Sequence, residues 1–277
     1  MKKLSYVLVS LLVLIGLVGC SSNPPKEDDQ NVVVKIGVVG EYYDYWQPVI
    51  DKMAEEGVTI ELVKFSEYAI PNQALSEGDI DMNAFQHYAY LEKEVEERGY
   101  DLSVIGETII APLGLYSNKI TDISEIKEGD SIAIPSDVTN AGRSLKLLEE
   151  AGLIKLDSTV GYLATVKDIV ENPLNLDIKE VDASMTASLL PDVTAAIING
   201  GNAITFGLNP NKDAIYLETV DVAANPNANR IINVLVVRTA DLDNEIYKKI
   251  LEYFQSEDVA KAMEESYGGA FIPAWEN

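Results

Sequence analysis

The chain has 277 residues, of which 47% are hydrophobic and 24% are charged, and these proportions are typical of a globular protein with one large or two modest domains. Its formal net charge of −24 excludes proteins that bind nucleic acid or anionic lipid headgroups through a basic surface. Cys20 is the only cysteine and His87 the only histidine, which excludes an intramolecular disulfide, a cysteine- or histidine-rich zinc site and a cysteine–histidine catalytic pair.

The first residues are typical of a bacterial lipoprotein signal. Two lysines precede the apolar run Leu4–Val18, which is short for a membrane span, and small residues lead into Cys20. We predict a signal peptide at 1–19, lipid attachment at Cys20 and a polar tether at 20–31 that is too poor in apolar residues to fold. The protein would then be held at the extracytoplasmic face of the cell membrane by its lipid alone. An ordinary signal peptide or a short N-terminal anchor is the alternative.

Strand and helix patterns alternate along the chain from residue 32. A nearly continuous β-branched run, "VVVKIGVVG", is typical of a buried strand of a parallel sheet, and apolar residues at helical spacing follow it. The predicted elements are a strand at 32–40, a helix within 44–57, a strand at 58–65, a helix at 72–79, a strand at 80–85, a helix at 89–99 and extended chain at 102–117.

The same alternation begins again near residue 131. We predict a strand at 131–136, a helix at 141–152, the end of a helix running into a short strand at 194–200, a buried strand at 232–239 and two helices within 244–269. Two α/β lobes of similar size fit this order, with the chain crossing between them near 110–117 and 229–239. Lobe 1 would comprise 32–112 and 234–277, and lobe 2 would comprise 113–233. The cleft between two such lobes is a usual place for a ligand.

The segment "IAIPSDVTNAGRSLKLLEEAGL" predicts an anion-binding site. If Thr139 or Asn140 caps the helix, Arg143 lies in its first turn, where a cation is disfavoured by about 0.3–1 kcal/mol. A guanidinium beside free backbone N–H groups is suited to a carboxylate. The alternative, which the residues leave open, is a solvated Arg143 paired with a surface acid such as Asp137.

Aromatic side chains follow each of the first three predicted strands. Because the carboxyl ends of parallel strands face the ligand crevice, these rings could form an apolar box at one rim, although any single ring could equally belong to the core. The rings are Tyr42, Tyr43, Tyr45 and Trp46 after the first strand, Tyr68 after the second, and Phe85, His87, Tyr88 and Tyr90 after the third.

The chain has no dinucleotide-binding, P-loop, nucleophile-elbow or zinc-protease motif, so we predict no cofactor, no metal and no enzymatic activity.

Asparagine side chains are further candidates for ligand contacts. An amide can accept from an ammonium and donate to a carboxylate, which suits a zwitterion, although most asparagines in loops are turn residues. The candidates in predicted loops or at strand edges are Asn140, Asn199, Asn202, Asn225, Asn229 and Asn233.

Three segments resemble the NlpA/MetQ family of methionine-binding lipoproteins. They are "FSEYAIPNQALSEGDIDMNAFQH" at 65–87, "PSDVTNAGRSLKLLEEAGLIKL" at 135–156 and "ENPLNL" at 171–176. The resemblance extends over nearly all of the chain after the tether. It implies an α/β, periplasmic-binding-protein-like fold with two lobes, in which two open α/β domains are joined by two crossing strands.

The resemblance also implies the ligand and its contacts. The ligand would be methionine or a related amino acid, and the protein partner would be the permease of an ABC transporter with separate ATPase subunits. Carried over by position, Arg143 would bind the ligand carboxylate with help from Asn140, and Asn199 would hold the backbone end of the amino acid. Tyr68, Phe85 and His87 would form the wall of the thioether pocket, with His87 neutral and donating a hydrogen bond.

Two features depart from the family pattern. A cleft asparagine is expected just before the last buried strand, and "NPNANRIINVLVVR" offers Asn233 first and Asn229 second. The aromatic run after the first strand is also richer than expected. Another ligand of the same fold therefore remains an alternative: a methionine-containing dipeptide, another apolar amino acid or a sulfonate. The alternative from a different class is a lipid-anchored enzyme that uses His87 as a base.

Overall fold

The computed structural model describes residues 32–41, 43–220 and 228–275. The predicted signal peptide and tether, with Cys20, lie outside the described residues, as do Tyr42 and Asn225. Within the described ranges, no helix is both long enough and apolar enough to cross a membrane.

The strands of the described residues form two main sheets and one small one. They are β1 (Val32–Val39), β2 (Val58–Phe65), β3 (Met82–Asn83), β4 (Leu102–Ile110), β5 (Leu113–Tyr116), β6 (Ser131–Pro135), β7 (Lys155–Leu156), β8 (Ile169–Glu171), β9 (Asp177–Val181), β10 (Ala195–Asn199), β11 (Tyr216–Leu217), β12 (Ile232–Arg238) and β13 (Ile272–Pro273). The six-stranded sheet has the order β13-β4-β12-β3-β1-β2, the five-stranded sheet has the order β11-β5-β10-β6-β9, and β7 pairs with β8.

The helices pack on the faces of these sheets. They are α1 (Gln47–Glu55), α2 (Pro71–Glu77), α3 (Tyr88–Arg98), α4 (Val138–Glu150), α5 (Gly200–Thr205), α6 (Pro210–Asp213), α7 (Glu245–Phe254) and α8 (Glu257–Tyr267). Helices α1, α2, α3 and α7 contact the strands of the six-stranded sheet, and α8 packs on α1. Helices α4, α5 and α6 contact the five-stranded sheet. We call these two groups lobe 1 and lobe 2.

Lobe 1 has an apolar layer on each face of its sheet. Strand β1 pairs in parallel with both β2 and β3, so the chain leaves all three strands at the same edge. On one face the rings of Trp46 and Phe254 pack 4.7 Å apart between their centres, in a cluster with Val49 and Met53 of α1. Leu75 and Val236 belong to the cluster on the other face. Burial on both faces explains the apolar second half of β1, whereas Val32, Val33 and Lys35 in its first half are exposed.

Lobe 2 is centred on β10, which is buried at all five positions. Strand β10 pairs in parallel with β6 and antiparallel with β5. Its neighbour β6 carries Ile132 and Ile134 into the same apolar cluster as Leu145 and Leu148 of α4. This packing fixes α4 against the sheet and thereby fixes every side chain that α4 directs toward the lobe boundary.

The chain crosses between the lobes twice. The first crossing is Ala111–Pro112, between β4 of one sheet and β5 of the other. The second lies between β11 and β12, and because β12 belongs wholly to the six-stranded sheet, this crossing precedes it. The lobe boundaries at 112 and 233 stay a prediction, and β12 begins at Ile232, ahead of the second one.

Two predicted elements differ from those observed. The segment 194–200 is a strand followed by a helix, not a helix running into a strand, because the apolar residues of β10 are buried between two neighbouring strands and α5 begins only at Gly200. The strand predicted at 80–85 is reduced to β3. Backbone bonds to β1 continue on either side of it, from Asp81 and from Ala84, and the chain then bends at Phe85.

The start of α4 also differs from the prediction. The N-cap is Asp137, whose carboxylate accepts from the backbone N–H of Asn140 and from the hydroxyl of Thr139. An ionised carboxylate is a strong cap acceptor, so it takes this role ahead of Thr139 and Asn140. Arg143 therefore lies in the second turn and not in the first, and the predicted contribution of the helix terminus to its anion site is wrong.

Close packing of α4 on the loop at 160–164 generates a prediction about Gly142. A Cβ atom at Gly142 would lie 1.9 Å from the backbone oxygen of Tyr162. We expect Gly142→Ala to lower the free energy of unfolding by about 1–3 kcal/mol, because the helix or the loop must move. Gly161→Ala is the control, since a Cβ there meets no atom within 4 Å. Urea unfolding followed by circular dichroism measures both, and equal midpoints for the two variants would contradict the expectation.

Candidate functional site

A cavity of about 70 Å³, partly open to solvent, lies between the two lobes. The carboxyl ends of β1, β2 and β3 from lobe 1 and of β6 and β10 from lobe 2 deliver residues to it. All seven residues predicted to bind ligand line the cavity: Tyr68, Phe85, His87, Asn140, Arg143, Asn199 and Asn233. Four of them, His87, Asn140, Arg143 and Asn199, are at least nine-tenths buried.

Arg143 is the cation of this cavity and is only 4% exposed. Its Nη2 and Nε donate to the two carboxylate oxygens of Glu218, at 2.6 and 3.2 Å. Nη2 also donates to the carbonyl of Ala111 at 3.4 Å, and Nη1 donates to Oδ1 of Asn140 at 3.3 Å. Four of the five N–H groups of the guanidinium thus have acceptors. Arg143 is paired with an acid, as the alternative expected, but the guanidinium is buried instead of solvated and its partner is Glu218, not Asp137.

The side chain of Asn140 connects the polar groups of the cavity. Its Nδ2 donates to both carboxylate oxygens of Asp137, each at 3.0 Å, which fixes the orientation of the amide. Its Oδ1 is therefore the end that faces the cavity. It accepts from Arg143, from Nδ2 of Asn199 at 2.9 Å and from Nε2 of His87 at 3.3 Å.

His87 is a buried, neutral ring with both nitrogens occupied. It is the N-cap of α3, where its Nδ1 accepts from the backbone N–H of Tyr90 at 3.1 Å. Since Nδ1 is an acceptor, the proton of the neutral ring is on Nε2, which donates to Asn140. Burial, and then the nearby charge of Arg143, lowers the pKa of His87 to about 3.

A set of buried amides positions the segment that carries His87. Nε2 of Gln86 donates to Oδ1 of Asn72 at 2.6 Å and to Oδ1 of Asn83 at 2.9 Å, and Nδ2 of Asn72 donates back to Gln86 at 2.8 Å. Asn83 also donates to Asn72 at 3.0 Å. Each amide satisfies another, so the chain after β3 is fixed without access to water.

Three aromatic rings form an apolar wall next to His87. Tyr68, Phe85 and Tyr90 lie about 6 Å apart between ring centres, mostly edge to face. The ring of His87 meets Tyr90 edge-on at 6.3 Å. Burial raises the pKa of Tyr68 and of Tyr90, so both hydroxyls stay protonated. The rings of the wall are apolar, and the hydroxyl groups of Tyr68 and Tyr90 are its polar groups.

The asparagines separate into cavity residues and surface residues. Asn199 lies at the end of β10, and its Oδ1 is buried with no hydrogen-bond partner in the part of the chain that the structure describes. Asn233 lines the cavity and its backbone forms an antiparallel bridge with His87. Asn229 is exposed, which favours Asn233 as the cleft asparagine. Asn202 lies outside the cavity and donates to the carbonyl of Ala183.

The aromatic run after β1 contributes an inner wall. Tyr45 and Trp46 are buried in the core of lobe 1, and with Tyr43 they line the deep end of the cavity. Phe254 and Phe271 complete this end, with Tyr45 edge-on to both rings at 6.0 and 6.1 Å. These three residues after β1 are therefore core and cavity wall at once.

Several residues in the cavity wall or directly behind it were not expected from the sequence. Phe254 and Phe271 come from the end of the chain and have no local signal, since their patterns are those of ordinary core residues. Tyr90 belongs to the aromatic group after the third strand but is not among the seven predicted ligand contacts. Glu218 had a usable signal, because it is a single acid in the otherwise apolar "AIYLETV", and a buried acid needs a partner.

Within the described residues, no group of three or more histidine, cysteine or carboxylate side chains could hold a metal ion. What the cavity presents is one buried cation, one free amide acceptor and an aromatic wall. This arrangement is suited to holding a small zwitterion with an apolar side chain, since each part of such a molecule finds a complementary group.

Comparison with known proteins gives consistent relatives. The family model described as NlpA lipoprotein matches residues 34–275. A D-methionine-binding lipoprotein MetQ from Salmonella typhimurium is 40% identical over 270 residues, covering 96% of each chain. The solved structure of protein PG110 from Staphylococcus aureus has a TM-score of 0.83 at 42% identity, covering 87% of this chain and 94% of that one.

A second solved structure was determined with a ligand. A nutrient binding protein from Burkholderia cenocepacia, bound to methionine, has a TM-score of 0.81 at 37% identity, over 87% of this chain and 99% of that one. The range of the family model includes both sheets and every described residue that lines the cavity.

The buried His87 predicts how stability depends on pH. Its folded pKa of about 3 lies below the value of roughly 6.5 in an unfolded chain. Below pH 6.5 the unfolded chain binds a proton that the folded chain does not, so stability is lost as pH falls toward 3. Relative to His87→Gln, the wild type should lose about 2 kcal/mol of unfolding free energy between pH 7.5 and pH 5.

Urea unfolding at the two pH values measures this difference. Because His87 is the only histidine, NMR provides an independent readout: its ring signals should remain those of a neutral imidazole from pH 8 to pH 5. A titration midpoint near 6.5 would contradict the assignment.

Proposed function

Because the chain belongs to the NlpA lipoprotein family, we propose that it is an extracytoplasmic, lipid-anchored substrate-binding protein that captures methionine between its lobes. The captured ligand is delivered to an ABC importer. The observation that carries the proposal is that Arg143 and the unpartnered Oδ1 of Asn199 occur in one cavity beside an aromatic wall.

The polar end of methionine would occupy the groups around Asn140. The carboxylate accepts from the remaining Nη1 hydrogen of Arg143, which has no acceptor among the described residues. The ammonium donates to Oδ1 of Asn199, which satisfies a buried acceptor that otherwise costs about 1–3 kcal/mol of free energy. Asn233 lies beside His87 and adds a second amide to this end of the ligand.

The thioether side chain would contact the wall of Tyr68, Phe85 and His87. An unbranched, polarizable side chain fits between rings, and sulfur–aromatic contacts contribute roughly 0.3–1.5 kcal/mol each. Full burial of a methionine-sized side chain contributes about 1.5–3 kcal/mol. His87 supports the wall from within, since both its nitrogens already have partners.

Delivery depends on the difference between open and closed forms. A ligand that contacts lobe 1 through the rings and lobe 2 through Arg143 makes its full set of contacts only when the lobes are closed, and this differential shifts the balance. The closed form is then what the permease recognises, and separate ATPase subunits supply the energy. Lipid attachment at Cys20 would keep the protein at the membrane surface.

The enzyme alternative is disfavoured by the state of His87. A general base needs a free lone pair near the substrate and a pKa near the working pH. The Nδ1 lone pair of His87 accepts from Tyr90, and its pKa of about 3 is far too low. His87→Ala would abolish turnover in an enzyme that uses His87 as a base, whereas in the proposed binding protein it should only weaken ligand binding.

Ligand identity is tested first by mass spectrometry of the small molecules that copurify with the protein, where we expect methionine. Calorimetry with methionine, glycyl-methionine and taurine then ranks the ligands. Taurine offers charges but no side chain for the rings, so it should bind at least about tenfold more weakly than methionine. Tighter binding of glycyl-methionine would identify a dipeptide receptor in place of the proposed one.

The role of Arg143 is tested by truncation. Arg143→Ala should weaken methionine binding at least about 30-fold, because it removes the donor to the ligand carboxylate and leaves the buried Glu218 without its partner, and such truncations cost 2 kcal/mol or more. Arg143→Lys keeps the charge without the planar fork and should recover part of the affinity. The matched control is Arg98→Ala on α3, which removes a half-exposed arginine paired with Glu94.

Circular dichroism shows whether each variant folds before its affinity is measured. Methionine affinity of a folded Arg143→Ala variant equal to that of the control would refute the proposed contact.

A further inference from the structure

Glu218 lies behind Arg143, on the side away from the cavity. It follows β11, and its side chain is 11% exposed. Its Oε1 accepts from Nε of Arg143, and its Oε2 accepts from both Nη2 of Arg143 and the backbone N–H of Leu113, the latter at 2.9 Å. The carboxylate therefore has a fixed position that does not depend on a ligand.

This contact uses the edge of the guanidinium that recognises carboxylates best. Two parallel N–H bonds from one edge of an arginine to one carboxylate are the strong, geometrically specific form of the ion pair. Glu218 occupies the Nε–Nη2 edge of the guanidinium. The second Nη2 hydrogen is donated to Ala111 and one Nη1 hydrogen to Asn140, so one Nη1 hydrogen remains for a ligand.

The charge balance around the cavity also limits how strongly it attracts a carboxylate. Arg143 is the only cation among the described residues that line the cavity, and the neutral His87 adds none. Two carboxylates are bonded to this network, Glu218 to Arg143 and Asp137 to Asn140. A ligand carboxylate thus meets an arginine whose charge is already balanced.

We propose that Glu218 determines the ligand class by limiting how strongly the cavity prefers a free carboxylate. Ligands in which the carboxyl group of methionine is amidated or joined in a peptide bond bind nearly as well as methionine, because one N–H bond serves either oxygen. The inference rests on the proposed function, since it assumes that the carboxyl end of methionine lies at Arg143.

The test compares methionine with methionine amide by calorimetry at about pH 6, where the amino groups of both ligands are protonated. For the wild type, the dissociation constant of the amide should be within about tenfold of that of methionine. Glu218→Gln keeps the size of the side chain and removes its charge, so Arg143 faces the ligand unbalanced. The ratio of the two dissociation constants should then rise a further tenfold or more.

The matched control is Glu150→Gln. Glu150 is exposed at the end of α4. Burial and the nearby charge of Glu218 raise its pKa, but no hydrogen bond joins it to Arg143 among the described residues. Its removal should therefore change the ratio far less than Glu218→Gln does. Glu218→Asp provides a second variant, because the shorter side chain cannot span Nε and Nη2 while it holds Leu113. It should shift the ratio in the same direction by a smaller factor, and it tests the proposal even where Glu218→Gln does not fold.

The outcomes separate the two proposals. A wild type that binds methionine, together with Glu218 variants whose ratio equals that of Glu150→Gln, would overturn the role of Glu218 alone. A wild type that prefers methionine over the amide by a thousandfold would also overturn it. A wild type that binds neither ligand would overturn the proposed function and this inference together.

Discussion

The charge of Arg143 is the constraint on which the rest of the site depends. A guanidinium taken out of water costs several kcal/mol unless its partners are in good geometry. Here the partners come from α4 itself, from the first crossing at Ala111 and from Glu218 just before the second crossing. The buried cation therefore joins the binding helix to both connections between the lobes. A substitution at Arg143 acts on the ligand site and on the lobe boundary together.

The buried neutral amides of the site also depend on hydrogen-bond partners. The amides of Asn72, Asn83 and Gln86 saturate one another, which leaves them rigid and unavailable to a ligand. Asn199 differs from these three amides, because its Nδ2 is bonded to Asn140 while its Oδ1 has no partner among the described residues. Buried acceptors without partners are rare in folded proteins, and one that faces a cavity is suited to a ligand donor.

The sequence predicts the rim of the site better than its depth. Residues that follow parallel strands converge by geometry alone, so the order of strands in the sequence is enough to place Tyr68, Phe85 and His87 together. The contact between Arg143 and Glu218 spans 75 residues and depends on the path of the chain through the second sheet, which no local pattern specifies. The order of strand and helix at 194–200 failed for another reason: a short apolar run fits either element until its neighbours are known.

The hydrogen bond from His87 to Asn140 makes the polar network continuous across the cleft. His87 is fixed to lobe 1 as the cap of α3, and Asn140 is fixed to lobe 2 by Asp137. A ligand that forms a hydrogen bond with the oxygen of Asn140, or with Arg143, changes the strength of the hydrogen bond between His87 and Asn140 that links the lobes. Binding and lobe closure are then coupled through one shared acceptor, and the coupling is reciprocal because it is a difference in free energy between two states. A neutral histidine serves this purpose better than one that titrates near neutral pH, since its protonation state stays constant while the surrounding pH varies.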